Sequence, residues 1–182
     1  LGGGHDYAYP DGAGFLLSQK HSKKKPLIIN FDAHLDVRPT TQGLSSGTPF
    51  YRLLTDDSLP DFDFVEIGIQ AHCNSPAHYQ WLKSKGGLII DMDELLANNF
   101  LQTCLEQLTP YITTSRPTYL SIDIDAFASA YAPGCSQSWA TGLIPNDFMP
   151  LLKILKKRLD VKMLGIYEVS PPLDQDNHTS EL

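Results

Sequence analysis

"PLIINFDAHLD", residues 26–36, decides how this chain is read. Its first half is a continuous apolar run, the pattern of a strand covered on both faces. Its second half puts Asp32, His34 and Asp36 at alternate positions, which in an extended segment point to one side. "SIDID" (121–125) repeats the arrangement, with Asp123 and Asp125 two apart at the end of another apolar run. Four carboxylates converging on one partly buried place repel each other, and desolvating each costs several kcal/mol unless something compensates. Two divalent cations match them in charge, so these acids and His34 read as metal ligands. His5 is a sixth candidate ligand: it follows Gly2, Gly3 and Gly4, whose bare backbone can approach a pocket closely and aim the imidazole into it.

The donor set is rich in oxygen, contains imidazole and lacks thiolate, which suits manganese better than a structural zinc. Two such ions about 3.5 Å apart acidify a water held between them, so no Ser or Cys nucleophile is required.

Outward from this stretch, strand-like and helix-like patterns alternate. Apolar runs at 62–69, 87–92, 118–125 and 162–169 join 26–31 as expected strands. Helices are expected over 75–85, opened by Ser75 and Pro76, over 93–108, capped by Asp93 and ending before Pro110, and over 146–159. Such alternation implies βαβ units, hence a mainly parallel sheet with helices on both faces, an α/β/α sandwich. Active sites of open α/β sheets form beyond the carboxyl ends of the strands. "DAHLD", "DID" and "EVSP" (168–171) all fall on that edge.

The chain has 182 residues, 42% apolar and 19% charged, enough for one domain with a real core. The formal charge of −7 comes without a basic face, so nucleic acid and anionic membranes are poor partners. Lys23–Lys25 reads as a solvated loop. Cys73, Cys104 and Cys135 are odd in number and widely spaced, which argues against a disulfide framework and for a cytoplasmic setting. No apolar run reaches the ~18 residues of a membrane span. The chain opens at "LGGGHD" without Met, and residues 1–182 are expected to be a single domain lacking N- and C-terminal parts of a longer chain.

"GGGHD", "DAHLD", "SIDIDAFASAYAPG" and "EVSP" together resemble the ureohydrolase family of arginases, agmatinases and formimidoylglutamases, over nearly the whole chain. The resemblance implies the arginase-like α/β/α fold and a binuclear manganese centre, two Mn2+ per subunit, in a homo-oligomer. It implies that His5, Asp32, Asp36 and Asp123 hold one ion and that Asp32, His34, Asp123 and Asp125 hold the other. Glu168 matches the acid that grips the amidine or guanidine nitrogen, and Asp125 is placed to carry a proton to the leaving nitrogen. Departures from the arginase pattern are informative. Ser46 stands in "SSGTPF" where arginases carry a proton-shuttling histidine, and Arg38 stands two residues after the metal motif where they carry Asn. These features are similar to formimidoylglutamase, which hydrolyses N-formimino-L-glutamate to L-glutamate and formamide. Arg38 and Ser46 are therefore candidate substrate contacts, Arg38 forking onto a carboxylate. An agmatinase- or guanidinobutyrase-like guanidine hydrolase and a non-catalytic binding member are the alternatives. Cys135 reads as a small packing residue, and Trp139 is a candidate pocket wall.

Overall fold

The strand that opens the deciding stretch, β1 (Leu27–Phe31), is buried along its whole length and lies at the centre of the sheet. The computed structural model describes residues 3–112 and 115–182. Among them, β1 is joined by β2 (Asp63–Ile69), β3 (Leu88–Asp91), β4 (Pro117–Asp123) and β5 (Asp160–Tyr167) in the order β3-β2-β1-β4-β5. Every pairing is parallel, with Leu27 opposite Asp63 on one side and Thr118 on the other. Gly68, at φ +98°, accommodates the bulge where β2 shifts register against β3.

The pleat of the strands sends alternate residues into two cores. Leu27, Ile29, Phe31, Val65, Ile67, Leu120 and Ile122 pack on one face against α4 (Met92–Ala97), α5 (Phe100–Ile112) and α6 (Pro145–Arg158). Ile28, Phe64, Tyr119 and Tyr167 pack on the other against α1 (Ala8–Ser18), α2 (Pro49–Thr55) and α3 (Pro76–Ser84). This is the expected three-layer α/β/α sandwich.

Several local expectations are corrected. The helix expected over 93–108 is two helices, α4 and α5. Asn98 donates its amide to the Glu94 carbonyl at 2.9 Å and Asn99 accepts from the Gln102 N–H at 3.0 Å, so local side-chain bonds divide the run. The first of the two starts at Met92 after Asp91, which makes no side-chain cap, rather than at a capping Asp93. Pro110 sits inside the last turn of α5 instead of stopping it. Helices α1 and α2 were not legible in the sequence: α1 contains Pro10, Gly12 and Gly14, poor helix formers held by burial of Ala8, Phe15 and Leu16. The lysine run is also more than solvated loop, since Lys25 pairs with Asp61 and Asp63 at 3.0 and 2.9 Å.

Chain order explains where a site can form. From β1 the chain proceeds through β2 and β3 to one edge, while β4 and β5 lie on the other side. The order reverses between β1 and β4. The segments leaving these neighbouring strands diverge, and a crevice opens at their carboxyl ends.

Candidate metal centre

Asp32 follows β1 directly, and Asp123 is the last residue of β4. The pleat does not by itself bring the acids of "DAHLD" together, because the strand stops at Phe31. The next residues form a loop, and Asp36 turns into the left-handed region at φ +47°, rare for a residue with a Cβ. The loop is pinned by Asn74, which accepts from Leu35 N–H at 2.9 Å and donates to the carbonyls of Ala33 and Gln70 at 2.8 Å. The Asp32 carboxylate accepts from His34 N–H at 2.6 Å. The strand expected over 118–125 likewise ends at Asp123, and Asp125 lies in a 3-10 turn, Ile124–Ala126, whose amide donates to Asp123 Oδ1 at 2.9 Å.

His5 comes from the 3-10 turn His5–Tyr7 ahead of α1 and is fully buried. Its Nδ1 lies 3.0 Å from Asp32, 2.9 Å from Asp36 and 3.1 Å from Asp123. One ring nitrogen cannot aim a proton at three oxygens, and among the described residues this atom has no directed hydrogen-bond partner. Its Nε2 faces Ser121 Oγ at 3.0 Å. On the other side of Asp32, His34 Nδ1 lies 2.9 Å from Asp125. Two groups of donor atoms result, each within 4.8 Å of one another: His5, Asp32, Asp36 and Asp123, and then Asp32, His34 and Asp125. Asp32 is common to both; Asp123 lies in the first alone.

Burial and crowding set the charges. Burial and the neighbouring Asp32 push Asp36 up to about 6 and Asp125 up to about 7. The same two causes hold Asp123 well above the usual carboxylate range. Burial opposes charge on Asp32 too, but His34 and His5 outweigh it and keep this carboxyl below its ordinary value. Burial would lower His5, yet the surrounding carboxyl groups of Asp123, Asp32 and Asp36 raise it well above normal. Carboxylates unwilling to ionise together, around an imidazole nitrogen with no directed partner, form a set of donors that fits divalent cations. With oxygen and imidazole donors and no thiolate, the set fits manganese.

A cavity of about 210 Å³ opens onto both groups, lined by His34, Asp36, Asp123 and Asp125 together with Arg38, Ser46 and Glu168. Arg38 is exposed, and its side chain runs against Gly47, where a Cβ would collide with it. Glu168, directly after β5, stands at φ +64°, also left-handed. Its carboxylate accepts from His5 N–H at 2.7 Å, and its own N–H donates to Gly3 at 2.9 Å. Gly3 and Gly4 thus give backbone passage beside the site, while Gly2 lies outside the described residues. Cys135 is buried and touches the cavity. Trp139 packs beside His34 and His72, with ring centroids 6.1 and 4.9 Å apart, and is not among the cavity's lining residues. His178 is exposed, and its ring lies 3.2 Å from the Ala130 carbonyl.

The sequence reading passed over the residues supporting this cluster. Asn30 donates to Asp32 Oδ2 at 3.2 Å and to Glu66 Oε2 at 2.9 Å. Glu66 is fully buried, and burial and Asp32 raise its carboxyl well above normal. The available signal was a polar residue inside an apolar strand run: Asn30 in "LIINF", Glu66 in "FVEIGI", Ser121 in "YLSID".

Fold and site together define an open parallel α/β protein with a candidate two-cation centre at its switch point. A family model described as the arginase family matches residues 1–182. This chain belongs to the arginase family. It is similar to formimidoylglutamases from Legionella pneumophila (strain Lens), 36% identical over 100% of this chain and 57% of the relative, and from Clostridium tetani, 31% identical over 100% and 55%. Among solved structures it resembles formimidoylglutamase from Bacillus subtilis (TM-score 0.85, 29% identity, 99% of this chain and 55% of that one). It also resembles Trypanosoma cruzi formiminoglutamase solved with Mn2+ (TM-score 0.82, 28% identity, 98% and 58%). The chain therefore spans little more than half the length of the relatives it matches. Among the described residues no helix is long and apolar enough to cross a membrane.

Proposed function

We propose that this chain carries the active site of a manganese-dependent hydrolase of linear amidines, acting on N-formimino-L-glutamate to give L-glutamate and formamide. His5, Asp32, Asp36 and Asp123 would hold one Mn2+, and Asp32, His34 and Asp125 the other, with Asp123 reaching toward it. When bound, the metal pair supplies Lewis acidity and a water activated at neutral pH. The observation that carries the reading is the make-up of the cavity: the candidate ligands His34, Asp36, Asp123 and Asp125 share it with the half-buried Glu168 and with Arg38 and Ser46, both exposed. A formimino group is cationic and the glutamate end is anionic, so Glu168, which the cations do not use, suits the first and Arg38 the second.

Glu168 grips the formimino nitrogen and orients the carbon over the candidate ligands. Arg38 forks onto a substrate carboxylate, and Ser46 hydrogen-bonds beside it. Water adds to the formimino carbon, the C–N bond to glutamate breaks, and Asp125 passes a proton to the departing nitrogen. A cationic tail such as agmatine's would meet Arg38 as a like charge, which disfavours the guanidine alternative. The free thiols of Cys73, Cys104 and Cys135 support a cytoplasmic enzyme, and the family resemblance supports a homo-oligomer.

The test compares formamide, urea and ammonia release from a panel of amidines and guanidines by the full-length protein, with and without Mn2+. Arg38→Ala should raise KM for N-formimino-L-glutamate about ten- to a hundredfold with little change in kcat. An unchanged KM sinks the Arg38 assignment. Faster turnover of a guanidine with urea release favours the alternative hydrolase, and no turnover despite bound metal favours a binding protein.

A further inference from the structure

A second cavity, also of about 210 Å³, adjoins the first. His34, Asp36 and Arg38 line both, so Arg38 faces two spaces rather than one. The rest of the second wall comes from the segment that follows β2. It consists of Cys73 and Asn74, then Ser75, which caps α3, and His78 in the first turn of that helix.

The polar groups on this wall are of two kinds. Some are fully engaged within the protein. The Asn74 amide oxygen accepts from Leu35 N–H, and its N–H bonds go to the carbonyls of Ala33 and Gln70. The Cys73 thiol sits against the same two carbonyls, 3.3 Å from each. The others have hydrogens to spare. Ser75 Oγ accepts from Ala77 N–H at 3.2 Å, and its own proton goes to no acceptor among the described residues. The half-buried His78 ring makes no hydrogen bond among them either. Arg38 forms no ion pair among the described residues, in contrast to Arg116, which meets Asp63 at 2.7 Å. Arg38, Ser75 and His78 therefore each offer a polar hydrogen, while the one carboxylate on the wall, Asp36, is taken by the cation reading. Such a wall suits a group that only accepts, and a carboxylate is such a group.

A guanidinium has five N–H donors in a planar fork, enough for a carboxylate on each side. N-formimino-L-glutamate has two carboxylates, and Arg38 with Ser46 accounts for one of them. We propose that the second cavity is the subsite for the other: His78 and Ser75 complete from α3 the anion site that Arg38 begins, and His78 selects dicarboxylate over monocarboxylate amidines. The inference rests on the amidine-hydrolase reading above and adds to it a subsite on a different element of the fold.

The experiment uses the full-length protein loaded with Mn2+ and three substrates: N-formimino-L-glutamate, its α-amide and its γ-amide. Each amide lacks one carboxylate. His78→Ala should lower kcat/KM about tenfold for the diacid, through KM, and equally for one amide. The other amide, which has already lost the carboxylate of this cavity, should stay within about twofold of wild type. His78→Gln keeps an N–H and should recover part of the loss. Gln80→Ala is the control, exposed on the same helix and outside both cavities, and should follow wild type on all three substrates. Calorimetry with L-glutamate, the proposed product, reads the subsite without turnover: His78→Ala should bind it about tenfold more weakly, and Gln80→Ala as wild type does. No loss on any substrate in His78→Ala, equal losses on both amides, or the same losses in Gln80→Ala would each overturn the inference. A Mn2+-loaded wild type that hydrolyses none of the three sinks the hydrolase reading instead. The subsite is then decided by the L-glutamate titration, where unchanged affinity in His78→Ala overturns it.

Discussion

The two faces of one sheet differ sharply in this molecule. On the face covered by α4, α5 and α6, the inward residues of β1, β2 and β4 include Leu27, Ile29, Phe31, Val65, Ile67, Leu120 and Ile122, with the buried Thr118 at the start of β4 satisfied by donating its hydroxyl proton to the Arg116 carbonyl. On the face covered by α1, α2 and α3, the same strands present Ile28, Phe64 and Tyr119 first, and then Asn30, Glu66 and Ser121 as they approach their carboxyl ends. The apolar face contributes stability by removing hydrocarbon from water. The mixed face gives up part of that contribution to bury polar groups, each joined to a residue of the candidate metal centre or one step from it. One strand therefore serves two tasks on alternate residues.

This contrast can be broken in order of expected effect. Asp32→Ala removes the only residue common to both donor groups. It should abolish uptake of both Mn2+ ions, read by calorimetry. Retention of both would mean that the mixed face serves some other end. Next, Leu120→Ala on the apolar face should destabilise the protein by about 2–5 kcal/mol in denaturant unfolding, with Mn2+ affinity of the folded protein unchanged. Glu66→Leu on the mixed face should do the reverse. It frees Asn30, and with it the hold on Asp32, so Mn2+ affinity should fall about tenfold. Replacing a buried carboxyl by hydrocarbon should leave the melting temperature of the metal-free protein unchanged or higher. If both substitutions cost stability and neither touches affinity, the division of labour between the faces is wrong.

The smallest effect is in pH. Asp36 and Asp125, at about 6 and about 7, bind protons in the metal-free fold that they release in the unfolded chain near pH 4. The folded state holds more protons between about pH 4 and 7, so metal-free stability falls as pH rises through this window. His5 and His34, both raised, act in the same direction above about pH 6.5. Asp32, which is lowered, opposes it only at the acid end, where its contribution is lost as pH falls below about 4. Ions require the deprotonated carboxylates, so Mn2+ binding should weaken from pH 8 to pH 5 and release protons. Melting curves with and without Mn2+ across this range should diverge most at the alkaline end. A metal-free protein more stable at pH 8 than at pH 6 would contradict the crowding described here.

How much was legible beforehand follows from which interactions are local. The five strands could be read because each is an apolar run with turn residues at its ends. The six charged residues of the centre could be read because "GGGHD", "DAHLD" and "SIDID" announce themselves by spacing. Asn74, which pins the loop carrying three of them, could not. Asn74 reaches the loop of the candidate metal centre from the segment that follows β2, 39 positions further along the sequence. Helix α1 was hidden for a related reason: its composition is poor for a helix, and packing against the sheet overrides that preference.

By itself, the sequence determined the alternation of strands and helices, the parallel sheet and the types of side chain at the site, because apolar periodicity and the cost of burying like charges are properties of neighbours along the chain. Only the tertiary structure decided which donors share a cation position, that Asp36 and Glu168 reach the site through left-handed turns, and that β1 and β4 lie side by side where strand order reverses. Those outcomes depend on contacts between residues far apart in sequence, and such contacts exist only once the sheet has assembled.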